Sequence, residues 1–187
     1  LFAGTPPLES LRMQVSICAS NQHSQNPSKN YVIMKSDIKR AYFNAKLDVN
    51  DEPVYVDLPK QDEESETMCA QLLRHMYGTR MAADGWQEEY STMMLRHGFR
   101  QGVSCPNVFH HAEKGIVCSV HGDDFTSSGP ATALDWFESE ISKEYEVSIG
   151  PRLGPGPNDA KEGRALNRVI RWCDTHLEYE ADPRQAE

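Results

Sequence analysis

Apolar residues recur at helical spacing in three parts of the chain, and these parts predict helices. The spacing of three to four residues that buries one face of a helix occurs in residues 6–20, 82–97 and 131–145. Gly98 follows the second stretch, at the position where a glycine often closes a helix. The pattern therefore predicts three amphipathic helices, each with one face buried against the rest of the fold.

Short apolar runs between these helices predict strands. They cover residues 31–34, 54–56, 116–120 and 146–149. Residues 108–109 precede a polar turn at 113–115, so this segment and the run at 116–120 predict a hairpin. Residues 166–172 and 176–179 are short elements whose type the pattern leaves open.

Polar, glycine-rich or proline-rich segments predict the loops. These are residues 21–30, 60–67 and 150–158. The prolines of the last segment lack N–H groups for binding a phosphate, so an ordinary surface loop is predicted there. The resulting order of strand, helix, hairpin, helix and strand predicts an α+β fold in a single domain over residues 1–187. In this fold an antiparallel sheet has two helices packed on one face.

Hydropathy and cysteine usage indicate the cellular compartment in which the protein is expected. No apolar run approaches the 18 residues of a membrane-spanning helix, so no membrane partner is expected. The chain begins at Leu1 without a basic or apolar leader, so no secretion signal is expected and the start looks internal. The five cysteines form no CxxC pair, which disfavours a disulfide scaffold or a structural zinc site. We therefore expect an intracellular protein, cytoplasmic and/or nuclear.

Charge narrows the function classes without deciding among them. The chain has 19 lysines and arginines against 28 aspartates and glutamates, a formal net charge of −9. That sign is wrong for a protein that holds nucleic acid by bulk charge. Carboxylates that bind cations also count as negative charge, so binding of nucleic acid through metal ions stays open.

Three aspartates stand at the ends of apolar runs. Asp37 follows the run at 31–34, and Asp123 with Asp124 follows the run at 116–120. Taken alone, an Asp-Asp pair is typical of a turn. Adjacent strands of one sheet can nevertheless bring Asp37 beside Asp123, and crowded carboxylates repel one another unless a cation neutralises them. Mg²⁺ prefers such oxygen ligands, and two such ions can serve phosphoryl transfer.

Several segments, in register, resemble the reverse transcriptases of copia-type LTR retrotransposons. The segment at 36–44 resembles the first catalytic motif of that family, Asp-Val-Lys-x-Ala-Phe-Leu-Asn-Gly, and the segment at 120–125 resembles its "YVDDL" motif. The order and spacing of the motifs agree over about residues 8–150, and the tail at 151–187 matches weakly. The remaining resemblances are to "R-x-L-L-x-x-A", "VYM-x-x-P", "LYGLKQAPRAW" and "SDPCLY", at residues 11–19, 54–59, 76–86 and 104–109 respectively.

The resemblance implies a right-hand polymerase palm with partial fingers and no thumb. It implies a fragment of a Pol polyprotein that adds dNTPs to a primer 3′-OH on an RNA or DNA template. The thumb, RNase H and integrase are expected outside this chain. Asp37, Asp123 and Asp124 become the catalytic and metal-binding residues for two Mg²⁺ (or Mn²⁺) ions. Asp37 and Asp123 would bridge both ions, and Asp124 would be more peripheral.

The resemblance also implies contacts to nucleotide and primer. Tyr42 falls at the aromatic position that crowds the sugar 2′ carbon and excludes ribonucleotides, and its alternative is a core aromatic residue. Gly78 and Met81 fall where the family approaches the incoming nucleotide. His121 and Gly122 fall where the family touches the primer end, and the alternative for His121 is a plain turn residue.

Departures from the family pattern keep a second hypothesis open. Met81 and Ala83 replace the family's Gln and Pro, and His121-Gly122 replaces Tyr-Val. A degenerate palm would fold but not catalyse, and it would act at most as a nucleic-acid or protein-binding module.

Lys143 and Lys161 are candidate general acids for pyrophosphate departure, each with a solvated lysine as its alternative.

Overall fold

Three α-helices, two short 3₁₀ helices and eleven strands make up the computed structural model, which describes residues 4–23, 25–48 and 52–180. Residues 1–3, 24, 49–51 and 181–187 of the predicted 1–187 domain lie outside the described residues. The helices are α1 (Leu8–Ser20), α2 (Ala82–Arg96) and α3 (Ala131–Glu144). The strands are β1 (Tyr31–Ile38), β2 (Tyr55–Asp57), β3 (Cys69–Gln71), β4 (Arg100–Gln101), β5 (Val108–His111), β6 (Ile116–His121), β7 (Asp124–Pro130), β8 (Val147–Ile149), β9 (Glu162–Ala165), β10 (Arg168–Trp172) and β11 (Leu177–Glu180).

The central sheet has six strands in the order β4-β5-β6-β7-β1-β8, and all neighbouring strands are antiparallel. Two smaller sheets accompany it, one of β2 and β3 and one in the order β11-β10-β9. This architecture confirms the predicted α+β fold. The three helices begin and end within two residues of the predicted bounds, and the predicted hairpin is β5–β6.

Alternate residues of the central strands point to two different cores. Val32 and Met34 of β1 join Trp86 of α2 and Phe137 of α3 in the larger core, so both helices pack on one face of the sheet, as predicted. Ile33, between them, points to the opposite face and packs with α1 and the β9–β11 sheet. The second face is therefore covered as well.

Helix α1 is joined to the second face by polar contacts as well as apolar ones. Gln14 Nε2 donates a hydrogen bond of 2.6 Å to Ser119 Oγ on β6, and both residues are buried. Leu11 and Cys18 of the same helix pack against Ile170 of β10. Burial raises the pKa of the Cys18 thiol to about 12, which keeps it neutral in this core.

The predicted surface loop at 150–158 is only partly a surface loop. Leu153 is buried, and it exchanges main-chain hydrogen bonds with Ile33 of β1 at 2.8 and 2.9 Å. The prediction was wrong here because one apolar residue among glycines and prolines is enough to seat the segment against a strand. None of the helices in the described part of the chain combines the length and hydrophobicity needed to cross a bilayer.

Candidate active site

The structure brings the three predicted aspartates to one end of the central strands. Asp37 of β1 is the register partner of Asp124 of β7, and Asp124 is in turn the partner of His121 on β6. Directly paired residues of antiparallel strands point to the same face. Asp37, Asp124 and His121 therefore form a row across three strands, on the face that carries α1 and the β9–β11 sheet.

Asp123 is held beside this row by the main chain. The Ile38 N–H donates a hydrogen bond of 2.9 Å to the carbonyl oxygen of Asp123, which links the end of β1 to the β6–β7 turn. Asp37 and Asp123 are 86 positions apart in the sequence but close in space, because β1 and β7 are neighbours.

The charges of Asp123 and Asp124 act on Asp37. The pKa of Asp37 is raised, first by partial burial and then by the negative charges of Asp123 and Asp124. Lys35 and Lys39 act in the opposite direction but do not cancel the rise. Ionised carboxylates at this point are therefore incompletely neutralised by the protein's own cations.

The donor set at this point fits a hard divalent cation. It consists of carboxylate oxygens, which Mg²⁺ and Mn²⁺ prefer, and its excess negative charge is what such an ion would relieve. The three side chains do not form a closed group, because their ligand atoms are not all within 4.8 Å of one another. Asp37 and Asp123 are exposed and Asp124 is half-buried, so their side chains can turn toward a shared ion.

A cleft of about 480 Å³ lies beside the aspartates, between the central sheet and the β9–β11 sheet. Asp37, Asp124 and Lys35 line one wall, and residues 162–165 line the other. Arg164 also lines the adjoining concavity, which contains Asp124 and His121. Lys35 and Arg164 thus face the space next to the carboxylates, and Glu162 lines the same cleft.

The β6–β7 turn that carries Asp123 has two central residues, Gly122 and Asp123. Gly122 has φ +61°, which favours glycine, and a two-residue hairpin turn with glycine first is typical of type II′. The Trp86 indole N–H of α2 donates a hydrogen bond of 2.8 Å to the Gly122 carbonyl. The buried core below the sheet therefore holds the turn from the side opposite the cleft.

His121 has one ring nitrogen that the described protein atoms do not satisfy. Its Nδ1 is buried and lacks a hydrogen-bond partner among the described residues. The side chain lines the same concavity as Asp124, Arg164 and Asn167. This position agrees with a primer contact but does not test it, so that role stays a prediction for His121 and for Gly122.

Tyr77 connects Tyr42 and Gly78 to the aspartates: its ring contacts Tyr42, it precedes Gly78 in the chain, and it feels the charge of Asp123. The Tyr42 ring, on a short 3₁₀ helix after β1, is 4.4 Å from the Tyr77 ring between centroids. The pKa of Tyr77 is raised by burial and then by the charge of Asp123, which places Tyr77 on the Asp123 side. Gly78 has φ +88° and open space where a Cβ would stand, so its backbone can be approached by a ligand.

Met81 lies in a different concavity from the aspartates. It is 50% exposed at the start of α2, and Lys46, His75 and Glu88 line the same space. The structure therefore groups Met81 with the α2 surface and not with the 480 Å³ cleft. A nucleotide contact of Met81 stays a prediction.

The sequence interpretation missed Lys35, Tyr77 and Arg164. Lys35 precedes Asp37 by two residues on the same strand, so the period of two could have placed it on the same face. Tyr77 is the neighbour of Gly78. Arg164 belongs to β9, whose position no local pattern indicates.

The lysines that the sequence suggested as general acids are engaged elsewhere. Lys143 Nζ is 2.8 Å from Glu140 Oε1 on the exposed side of α3. Lys161 Nζ donates to the carbonyls of Gly154 and Gly156 at 2.7 and 2.8 Å. Lys143 is thus a surface lysine and Lys161 a loop lysine. Their contacts agree with the alternative to a general acid that the sequence left open for each.

Comparison with known proteins assigns the chain to a family. The family model described as reverse transcriptase (RNA-dependent DNA polymerase) matches residues 7–152, a span that contains all three aspartates. No curated protein sequence matches the chain.

Two solved structures are similar over nearly the whole chain. The telomerase of Candida albicans, in complex with a TWJ fragment of telomeric RNA, is 9% identical with a TM-score of 0.45; the match covers 94% of this chain and 35% of that one. The apo telomerase of Candida tropicalis, truncated from its C-terminal domain, is 9% identical with a TM-score of 0.46; the match covers 95% of this chain and 41% of that one. The chain thus spans less than half the length of either.

Proposed function

The chain belongs to the reverse transcriptase (RNA-dependent DNA polymerase) family, and on this premise we propose that it forms the palm that adds dNTPs to a primer 3′-OH. The observation that carries the proposal is the convergence of Asp37, Asp123 and Asp124 at one end of the central sheet, with the pKa of Asp37 raised by partial burial and by the other two. Carboxylates with this uncompensated charge are better suited to binding a cation than to supporting the fold.

The three aspartates would hold two Mg²⁺ or Mn²⁺ ions. When bound, such ions neutralise the transferred phosphoryl group and favour ionisation of the attacking hydroxyl. In the reaction a bond forms between the primer 3′ oxygen and the α-phosphorus, and the bond to pyrophosphate breaks. The protein itself mainly positions the reactants and supplies fixed charge.

Lys35 and Arg164 would supply that fixed charge. Both side chains line the cleft that Asp37 and Asp124 also line. Guanidinium groups bind phosphate oxygens in pairs, whereas an ammonium acts as a point charge. These two residues would therefore contact the phosphates of the primer or of the dNTP.

Tyr42, Gly78 and Met81 are proposed as nucleotide-binding residues, and His121 with Gly122 as primer-contacting residues. Tyr42 packs on Tyr77, which lies toward Asp123, so its ring can limit the space beside the sugar. The unpaired Nδ1 of His121 supports a polar contact to the primer end.

We further propose that the parent protein is a retrotransposon Pol polyprotein. The order of the copia-type motifs supports this assignment. Thumb, RNase H and integrase segments would then be separate partners in the polyprotein, and an RNA or DNA template-primer would be its substrate. The site of action would be inside the cell, in the cytoplasm or the nucleus.

An inactive palm is the alternative, and the surroundings of Met81 favour it. Asp84, Glu88 and Glu89 line the concavity that contains Met81. Their negative charge would repel the phosphates of a nucleoside triphosphate bound there. Such a palm would keep the fold and bind nucleic acid or protein without catalysis.

A primer-extension assay separates the two functions. The chain is incubated with a primed RNA or DNA template, dNTPs and either Mg²⁺ or Mn²⁺, and binding of the primer-template is measured in parallel. We expect metal-dependent incorporation that Asp123→Asn abolishes and Asp57→Asn, on exposed β2, leaves unchanged. Incorporation that Asp123→Asn does not affect would overturn the metal assignment. Binding without incorporation by the wild type, also when the thumb segment expected outside this chain is restored, would establish the inactive palm.

A further inference from the structure

A second group of metal-ligating side chains lies on the β10–β11 hairpin, outside the aspartate site. Among the described residues, Cys173, His176 and Glu178 are the one group of three whose potential ligand atoms all lie within 4.8 Å of one another. They bring a thiol, an imidazole and a carboxylate together. We propose that this group is a binding site for Zn²⁺.

The hairpin geometry produces this group. Trp172 and Leu177 are the last paired residues of the two strands, and the Cys173 N–H donates a hydrogen bond of 2.9 Å to the His176 carbonyl oxygen. This tight loop sets Cys173 and His176 opposite each other with two residues between them, a spacing used by zinc ligands. Glu178, on β11, lies two residues after His176 and points away from the core that Leu177 and Tyr179 face.

The face on which the group lies is accessible. Leu177 and Tyr179 point inward and pack on the smaller core, whereas His176 and Glu178 have side chains 59% and 48% exposed. Cys173 is half-buried. An ion can therefore reach all three ligands without opening the fold.

The distances need only a small adjustment. His176 Nε2 lies 3.6 Å from Glu178 Oε1. Ligand atoms that share one tetrahedral zinc are about 3.5 Å apart, given bond lengths near 2.0–2.3 Å. A shift of about 1 Å in the exposed side chains thus closes the site, and water would supply the fourth ligand, as in three-ligand zinc sites.

Neighbouring residues leave the ligand atoms available. Thr175 Oγ1 is 3.2 Å from His176 Nδ1, and with the proton on Nδ1 this contact leaves the Nε2 lone pair free for a metal. Arg171 is held at 2.8 Å by Glu162 and at 2.7 Å by Glu180. Its distance to Glu178 is 3.7 Å, so that carboxylate is not committed to the guanidinium.

The donor set selects the class of metal. A thiolate and an imidazole favour Zn²⁺ over Mg²⁺, which takes oxygen ligands. The site lies at the Trp172 end of β10, whereas the Arg168 end adjoins the turn at residues 166–167, which lines the concavity of Asp124 and His121. A bound ion would therefore clamp the tip of the hairpin that backs the cleft, with its fourth position left to water.

Cobalt substitution tests the site directly. The full chain, reduced and free of metal, is titrated with Co²⁺ and then with Zn²⁺, and the thiolate-to-cobalt charge-transfer absorption is followed. We expect one Co²⁺ per chain with this band, and its loss on addition of Zn²⁺. Absence of the band, or one ion shared between two chains, would overturn the proposal.

Variants assign the ligands. Cys173→Ser should abolish the band, and Cys69→Ser, which changes an exposed cysteine on β3, should leave it intact. His176→Gln and Glu178→Gln should weaken Zn²⁺ binding roughly tenfold or more. Asp123→Asn should leave the band unchanged, so a failure of the aspartate site is distinguishable from a failure of this one. A band that survives Cys173→Ser, with circular dichroism showing the variant folded, would contradict the assignment.

Zinc should also stabilise the fold, because it binds the folded hairpin and not the separated ligands of the unfolded chain. We expect Zn²⁺ to raise the melting temperature of the wild type and of Cys69→Ser by more than that of Cys173→Ser, in which the aspartates are left to bind the ion. An equal rise in all three proteins would show that the effect arises elsewhere and would contradict the clamp.

Discussion

The indole N–H of Trp86 donates a hydrogen bond of 2.8 Å to the main-chain carbonyl of Gly122. Trp86 is buried in the core beneath the sheet, and Gly122 begins the turn that carries Asp123. The position of Asp123, which we propose as a catalytic carboxylate, therefore depends on a helix that lies on the opposite face from the cleft. This link makes Trp86 a positioning residue.

Trp86→Phe should separate positioning from folding. The variant keeps an aromatic side chain but loses the hydrogen bond and part of the buried volume, so the free energy of unfolding should fall by about 1–3 kcal/mol. Because the turn is released, Mg²⁺ affinity and nucleotide incorporation should fall as well. Denaturant unfolding and Mg²⁺ titration measure the two effects.

Met93→Leu is the matched control for this helix. Met93 is equally buried on α2, and the change nearly conserves its volume, so the cost should stay below about 1.5 kcal/mol. Mg²⁺ affinity should not change in this control. Equal losses of Mg²⁺ affinity in the two variants would show that Trp86 acts through core packing alone.

Asp123→Asn should abolish incorporation without destabilising the protein. Removing one of three mutually repelling charges relieves repulsion in the metal-free state, so the melting temperature should equal or exceed that of the wild type. Thermal unfolding in the presence of a chelator measures this. A clear fall in melting temperature would show that Asp123 makes a structural contact that its charge supports.

Asp37 should give the metal-free protein a characteristic pH dependence. Its pKa is raised above the ordinary aspartate value of 3.8 by partial burial, and then by Asp123 and Asp124. The folded state thus holds this proton more tightly than the unfolded state. The associated stability is fully present below the unfolded pKa and is lost as the pH rises through the folded pKa.

Asp37→Asn removes this titration. The variant should therefore gain stability relative to the wild type as the pH rises from about 3 to about 6, a range that brackets the ordinary aspartate pKa. Urea unfolding at a series of pH values, with a chelator present, measures the difference. A difference that stays constant over this range would show that folding does not raise the pKa of Asp37.

Strand β7 shows why the sequence predicts part of this fold and not the rest. The helices and the β5–β6 hairpin have strong apolar periodicity, so their bounds were predicted closely. Residues 126–130 of β7 read Thr-Ser-Ser-Gly-Pro, a composition typical of a turn, and no strand was predicted there. The strand is nevertheless central, and Ser127 and Ser128 are fully buried. Small side chains suit a strand that is packed on both faces, which only the tertiary structure decides.

The β9–β11 sheet was only partly predicted for a related reason, because the type of the elements at 166–172 and 176–179 was left open and no element was predicted at β9. Its strands are short and partly charged, and their burial comes from contacts with α1 and Ile33, which lie more than 120 residues earlier in the chain. The same non-local packing brings Arg164 to the cleft, so no local pattern could assign it a role. The three aspartates could be predicted because each follows an apolar run and lies in a motif.

The backbone conformation of Gly122, in the turn that carries Asp123, can be tested by substitution. Gly122 replaces the valine of the family motif, and its φ of +61° is costly for any other residue. A Cβ there would meet open space, so the cost of substitution is conformational and not steric. Gly122→Ala should lower the free energy of unfolding by about 1–2 kcal/mol, and the β-branched Gly122→Val by more. Gly150→Ala, at a half-buried position without a positive φ, is the control and should change stability little. If Gly122→Val were as stable as the wild type, the turn would adopt another conformation in solution, and the placement of Asp123 beside Asp37 would need to be determined again.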